Sequence, residues 1–324
     1  MKILVTGGAG FIGSHACDDL LAQGHHVVAL DNFDRFYPPI YKRRNIALTL
    51  QHQNFKLVEG DFGDRLEMGK LLQQESFEVV LHLAAQAGVR PSIHDPLKYE
   101  RVNVAHLVNL LEAMREHGPR KIVSASSSTV YGNKTPVPFR EDAPCMQPLS
   151  PYGATKRAGE IFLGTYCGLY GFKAIIVRPF NVYGPRVRPD TAVYTFMRNI
   201  LLNEPIQIFG DGTTARDYTY ISDIVAALSV AVLTFPVDFG IYNLGGESPV
   251  TLNDLVANIE RATGTKAAIE HMAMQSGDVE RTCADISKAR KDLAFSPRIG
   301  LNEGLDRTFT WLQSEINAGV IKSE

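Results

Sequence analysis

Several things this chain lacks narrow it first. Its 324 residues include only four cysteines and one tryptophan. The cysteines, Cys17, Cys145, Cys167 and Cys283, are scattered and form no CxxC pair. That spacing argues against a disulfide frame or a zinc site and fits a reducing cytosol. Neither sign of charge dominates, since 33 Lys and Arg stand against 35 Asp and Glu. No basic stripe marks a nucleic-acid surface, and no acidic tail marks a disordered arm. Long apolar runs are missing too: the stretch from Ile224 to Leu233 is far too short to cross a bilayer. Met1 to Val5 lead straight into a strand-like run, without the layout of a signal peptide. There is no repeat and no low-complexity tract. The expectation is a cytoplasmic globular protein with no nucleic-acid or membrane partner. Its length suits one large domain carrying a smaller lobe.

Short apolar runs alternate with helix-like segments through the first half. Lys2–Thr6, Val27–Leu30, Lys56–Glu59, Glu78–His82, Lys121–Ala125 and Ala174–Arg178 read as strands. They are almost continuously apolar, as expected for a parallel sheet covered on both faces. Between them, Phe11–Gln23, Tyr41–Gln51, Asp64–Gln74, Val102–His117 and Pro151–Tyr170 read as amphipathic helices. This alternation predicts an α/β fold, a doubly wound parallel Rossmann sheet with right-handed crossovers. Beyond about residue 180 the regularity fades. Helices at Ile221–Leu233 and Asn253–Ala262 come with shorter strands, which predicts a smaller mixed α/β C-terminal substrate lobe over the sheet's carboxyl edge. Residues 1–180 are expected to bind the cofactor, with one or more later segments returning to that domain, and residues 181–324 mainly the substrate.

The first strand runs into Gly7-Gly8-Ala9-Gly10-Phe11-Ile12-Gly13, a GxxGxxG loop that opens a helix. In that context Gly7 permits the tight turn, Gly10 lets the backbone approach a pyrophosphate, and Gly13 lets helix and strand pack closely. The helix start then offers free N–H groups and partial positive charge to the phosphates. Asp31 ends the second strand 18 residues after Gly13. A carboxylate there accepts the adenosine ribose hydroxyls and repels a 2′-phosphate, which favours NAD over NADP. Arg35, Arg43 and Arg44 lie close by and leave NADP open. Asn32 follows Asp31. Asp61 and Phe62, after the third strand, suit the adenine. Leu83, Ala84, Ala85 and Gln86, after the fourth, let the cofactor lie close. His82 reads as a packed strand-end residue, and Asn103 serves equally well as a structural hydrogen-bonder.

Tyr152 and Lys156 stand four residues apart, on one face of a helix that Ser150 caps and Pro151 opens. A serine run, Ser126-Ser127-Ser128, ends the fifth strand. A tyrosine, a lysine and a hydroxyl after a glycine-rich dinucleotide loop are what hydride transfer at a secondary alcohol requires. A free phenol titrates near about 10. It becomes a usable base where positive charge, here from Lys156 and the nicotinamide ring, favours the phenolate. Ser127 orients the same substrate oxygen. The plain alternative for a YxxxK pair, a solvated lysine beside a packed tyrosine, weakens once the serine run and glycine loop are counted with it.

Taken together, these motifs resemble the extended short-chain dehydrogenase/reductases, specifically the nucleotide-sugar epimerases and dehydratases. The resemblance runs nearly end to end, through Gly7–Gly13, Asp31-Asn32-Phe33, His82–Ala85, Ser126–Gly132, Tyr152 with Lys156, Arg178–Pro185 and Arg216-Asp217-Tyr218. It implies tightly held NAD, a UDP-sugar substrate, and Asn181, Arg216 and Asp278 on the pyrophosphate and nucleoside ribose. Phe209, at the end of Ile206–Phe209, would lie beside the uracil. A guanidinium at Arg216 suits a phosphate, although it serves equally as a surface partner of Asp217. Dehydratases of this family carry Asp-Glu, and decarboxylases a Glu, where this chain has Ser128-Thr129. C4 epimerisation through a 4-keto sugar is the reaction that remains, with Ser128 and Thr129 facing the sugar. Within the family, Asp31–Tyr37, Ala85–Arg90, Arg188-Pro189-Asp190 and Met274–Val279 resemble the UDP-glucuronate 4-epimerases. The resemblance makes Arg188 the candidate partner of a C6 carboxylate, with Arg90 beside it; the plain alternative for Arg188 is an ion pair with Asp190. Asn181 stands where those enzymes often have Thr, Pro91 where they often have Tyr, and Val187 where Gly is usual.

Four readings stay open: a UDP-glucuronate epimerase, a UDP-glucose/UDP-galactose epimerase, another NAD-dependent UDP-sugar decarboxylase or dehydratase, and a non-catalytic NAD-binding scaffold. The family resemblance also implies a homodimer through Val102–His117 and Pro151–Tyr170, with Met114, Leu163, Tyr166 and Leu169 at the contact or in the core.

Overall fold

The computed structural model describes residues 1–273 and 279–321. In chain order the first half comprises β1 (Lys2–Thr6), α1 (Phe11–Ala22), β2 (His26–Asp31), α2 (Pro39–Asn45), β3 (Phe55–Glu59), α3 (Arg65–Glu75), β4 (Val79–His82), α4 (Val89–His94), α5 (Pro96–Glu100), α6 (His106–His117), β5 (Lys121–Ala125), α7 (Pro151–Tyr170) and β6 (Lys173–Pro179). It continues with β7 (Val182–Tyr183), α8 (Ala192–Leu201), β8 (Ile206–Phe209), β9 (Ala215–Asp217), β10 (Thr219–Tyr220), α9 (Ile221–Thr234), β11 (Phe239–Leu244), β12 (Pro249–Thr251), α10 (Leu252–Thr263), β13 (Ile269–Met272), α11 (Ser287–Leu293) and α12 (Leu301–Asn317).

Among the described residues the main sheet has seven strands in the order β11-β6-β5-β4-β1-β2-β3. Every pairing in it is parallel. Leu4 of β1 lies between Val28 and Val80 on one face, while Ile3 and Val5 point to the other, so both faces are apolar. One face carries Leu20, Ile224, Leu228 and Leu293, and the other Met68, Leu110, Met114 and Leu163, all buried. Strand order reverses between β1 and β4, and that switch opens a crevice at the strands' carboxyl ends. A third core, with Tyr194, Met197, Ile208, Leu255, Ile259 and Leu305, holds α8, β8, α10 and α12 together above that crevice.

Three segments from beyond residue 180 return to the main sheet. The strand β11 pairs with β6, from Phe239 opposite Ala174 to Leu244 opposite Pro179, while α9 and α11 pack into its first core. The predicted helix Tyr41–Gln51 is interrupted: α2 stops at Asn45, and a separate 3₁₀ turn covers Thr49–Gln51. The predicted Val102–His117 helix begins with a π turn, Arg101–Ala105. Met114, Leu163 and Tyr166 are 0%, 2% and 7% exposed and belong to the chain's own core. Leu169 is exposed.

Candidate functional site

A cleft of about 1050 Å³ runs between the carboxyl edge of the sheet and the lobe above it. Its floor begins at the glycine loop. Gly7 has φ +71°, and a Cβ there would sit 2.8 Å from the Ala84 nitrogen. At Gly13 a Cβ would lie 2.1 Å from the Gly7 carbonyl oxygen. Gly10 ends the loop, and no side chain caps the helix that follows. The unpaired N–H groups of its first turn therefore stand at the cleft wall formed by Gly10, Phe11, Ile12 and Gly13. That backbone cradle fits a pyrophosphate.

Asp31 is 5% exposed. Its Oδ2 accepts the Ala9 N–H at 3.2 Å, and its Oδ1 accepts the Phe33 N–H at 2.8 Å. Asn32, Phe62, Leu83, Ala84, Ala85 and Gln86 line the same wall. Asp61 does not. Its carboxylate takes the Asn32 side-chain amide at 3.1 Å and the Gly63 N–H at 2.8 Å, and the His106 Nδ1 approaches it at 3.1 Å. Asn103 bridges the wall to α7: it accepts the Gln86 N–H at 2.8 Å and donates to the Gln86 carbonyl at 2.9 Å and the Thr155 hydroxyl at 3.1 Å. His82 is packed, bonded through Nδ1 to the Thr6 hydroxyl at 2.8 Å. Burial, reinforced by the charge of Lys156, pushes its pKa down to about 3.

Ser150 accepts the Gly153 N–H at 3.1 Å and Pro151 opens α7, so Tyr152 emerges from the first turn with Lys156 one turn further on. Both line the cleft beside Ser127, Ser128 and Thr129. The Thr129 hydroxyl donates to the Ser127 Oγ at 2.9 Å. Burial raises the Tyr152 phenol above its ordinary range, while the positive charge of Arg188 and a hydrogen bond from Ser127 act in the opposite direction. Burial likewise pushes Lys156 down to about 8, against the pull of Glu160. Lys156 lines the cleft beside Tyr152, and Arg188 brings a second positive charge that favours the phenolate.

Beneath this group lies a buried network that the sequence reading did not anticipate. Arg178 is 0% exposed and forms a two-pronged pair with Glu160, at 2.8 Å for each prong. Glu160 also accepts from Ser126 at 2.6 Å and from Arg157 at 2.8 Å. Burial pushes the Glu160 carboxyl up, and these donors more than offset it, leaving it below the ordinary range. The network fixes the serine run to α7, and with it Ser127 to Tyr152. Its sequence signal was available, since Glu160 stands four residues after Lys156 on the same helix face.

The lobe brings Asn181, Arg188, Phe209 and Arg216 to the opposite wall, with Arg90 reaching across from α4. The Arg90 guanidinium lies 4.2 Å from the centre of the Phe209 ring. Arg188 forms a two-pronged pair with Asp190, at 2.9 Å for each prong, and the two side chains remain 29% and 31% exposed. Arg216 donates to the Ala215 carbonyl at 3.1 Å. Asp217 is buried and accepts the N–H groups of Gly246, Glu247 and Ala284, which ties the lobe's loops together. Asp278 lies outside the described residues.

Residues 3–245 match the NAD dependent epimerase/dehydratase family. The chain is 42% identical over 321 residues to a UDP-glucuronate 4-epimerase of Thermodesulfobacterium geofontis, across 99% of this chain and 98% of that one. Its fold is similar to that of UDP-glucuronic acid 4-epimerase from Bacillus cereus in complex with UDP-glucuronic acid and NAD. The TM-score is 0.92 and the identity 38%, over 97% of this chain and 99% of the other. It is also similar to the UDP-glucose 4-epimerase of Thermotoga maritima with UDP-glucose, at a TM-score of 0.90 and 32% identity over 98% and 100%.

Proposed function

The chain belongs to the NAD dependent epimerase/dehydratase family, and from that premise we propose that it is an NAD-dependent UDP-sugar 4-epimerase interconverting UDP-glucuronate and UDP-galacturonate. One observation carries the choice of sugar: Arg188 lines the same cleft as Ser127, Tyr152 and Lys156. In a uronate the carboxylate carbon is attached to C5, next to C4. With the C4 hydroxyl at Tyr152, a cation in that neighbourhood meets the carboxylate.

The cofactor wall uses Gly7, Gly10, Phe11, Ile12 and Gly13 for the pyrophosphate, Asp31 and Asn32 for the adenosine ribose, Phe62 for the adenine, and Leu83 to Gln86 as the close floor. When bound, NAD supplies the hydride acceptor that opens the cycle and the donor that closes it. Tyr152 takes the C4 hydroxyl proton at its phenolate oxygen, Ser127 donates to the same oxygen pair, and Lys156 adds positive charge. The 4-keto sugar then turns over within the cleft, and Tyr152 returns its proton. Arg216 and Asn181 hold the diphosphate throughout, Phe209 packs against the base, and Arg90, Ser128 and Thr129 face the sugar. In this division of labour, residues 1–180 mainly hold the cofactor and residues 181–324 mainly the nucleotide sugar.

Incubation with UDP-glucuronate or UDP-glucose, without added NAD, tests the reading. The expected product is UDP-galacturonate. Conversion of the neutral sugar alone would favour a UDP-glucose 4-epimerase, the activity named for the Thermotoga maritima structure. A second copy of the chain is proposed to cover α7, whose Ile161 and Leu169 are 56% and 68% exposed. Light scattering on the eluting protein reads that homodimer directly.

A further inference from the structure

The adenosine end of the cleft contains a charge that the glycine loop and Asp31 leave unexplained. Lys42, on α2, holds its ammonium 3.1 Å from the Asp31 Oδ1. Only 12% and 3% of the two side chains are exposed, and both residues line the cleft. The neighbouring cations are engaged elsewhere. Arg43 pairs with Glu59 at 2.9 and 3.0 Å, and Arg44 with Glu315 at 2.7 and 2.9 Å. Arg35 is exposed and outside the lining.

Lone pairs decide what Asp31 has left to offer. An ionised carboxylate has about four acceptor sites. Oδ1 already takes the Phe33 N–H and the Lys42 ammonium, and Oδ2 takes the Ala9 N–H. One site remains, on Oδ2, whereas a ribose presents two hydroxyls. An ammonium has three donors, and the pair with Asp31 uses one.

Resting on the NAD reading above, we propose that Lys42 is the second ribose-binding residue and a latent site for a 2′-phosphate. Asp31 alone keeps that site closed, both by holding the ammonium and by repelling the phosphate. NAD preference is therefore one carboxylate deep.

The test follows the nucleotide that the protein retains, and needs no turnover. Native protein, Asp31→Asn, Lys42→Met and the double variant are incubated with equal NAD and NADP and passed through gel filtration. Bound nucleotide is then released with acid and quantified. The NADP-to-NAD ratio is expected to rise about 10–100-fold in Asp31→Asn, the worth of a charge-assisted phosphate contact, and to fall back by a similar factor in the double variant. A ratio that stays flat in Asp31→Asn, or stays high in the double variant, overturns the proposal. Should Asp31→Asn fail to fold, Lys42→Met decides alone. Its bound NAD is expected to exchange into excess labelled NAD about tenfold faster, matching one lost charged hydrogen bond. An unchanged exchange rate overturns the ribose role. Native protein that retains neither nucleotide overturns the cofactor reading, and this proposal with it.

Discussion

The cofactor wall of the cleft is built from strand ends and a helix start of one parallel sheet, whereas much of the sugar wall comes from loops and single side chains of the lobe. On the cofactor side, main-chain atoms set the shape. Gly7 adopts φ +71°, Gly13 has no room for a Cβ, and Asp31 is buried and held by two backbone N–H groups. On the sugar side, Arg188 leans on Asp190 and Arg90 on Phe209, and Arg188 and Asp190 remain about 30% exposed. The contrast matches two different tasks. A cofactor used twice in each cycle has to stay, so its site is rigid and intolerant. A sugar that must present both faces to the same tyrosine needs a wall that re-pairs.

Gly13→Val strikes the rigid side hardest. Its Cβ would overlap the Gly7 carbonyl oxygen at 2.1 Å, so NAD retention after gel filtration is expected to vanish. Full retention would show that the cradle has slack. Tyr152→Phe separates chemistry from holding: kcat is expected to fall about 10²–10⁴-fold, with bound NAD unchanged.

Arg188→Gln probes the adaptable wall. KM for UDP-glucuronate is expected to rise about 10–100-fold, the worth of a hydrogen bond to a charged group, while KM for UDP-glucose moves little. Because the Arg188 charge lowers the Tyr152 phenol, its removal should also shift the rising limb of the pH–activity profile to higher pH. Equal effects on both sugars would dissolve the contrast between the walls.

The smallest effect concerns stability. His82 stays neutral in the fold until about pH 3, whereas an unfolded histidine takes up its proton near 6.5. Between those values the unfolded chain binds more protons, so stability falls as pH falls. Each such group contributes about 1.4 kcal/mol per pH unit. His15, pushed down to about 4 mainly by burial, adds to the same slope over its own narrower window. His82→Gln should flatten the urea-midpoint profile below pH 6.5 by one group's share.

The same contrast explains what the sequence revealed. The cofactor wall was legible because each strand ends in a residue type that its geometry demands: Gly7, Asp31, Ala84, Ser127. Elsewhere, local signals conflicted with tertiary ones. The edge strand β11 reads Phe-Gly-Ile-Tyr-Asn-Leu, and its glycine and asparagine hide a strand that pairing with β6 stabilises. In Lys42-Arg43-Arg44, three adjacent cations diverge by about 100° each around a helix. The run alone does not say which one turns inward, and by pattern Arg43 and Arg44 suit the ribose end as well as Lys42 does. Met114, Leu163 and Tyr166 fit a core or a contact between copies equally well by pattern. The sheet beneath them decided for the core.

In the proposed reaction one sugar carbon is oxidised and re-reduced without leaving the cleft. UDP-glucuronate carrying deuterium at C4, turned over without added NAD, tests it most directly. The expected product is UDP-galacturonate with the deuterium still at C4. Product that has lost the label to water, or unchanged substrate, would contradict it.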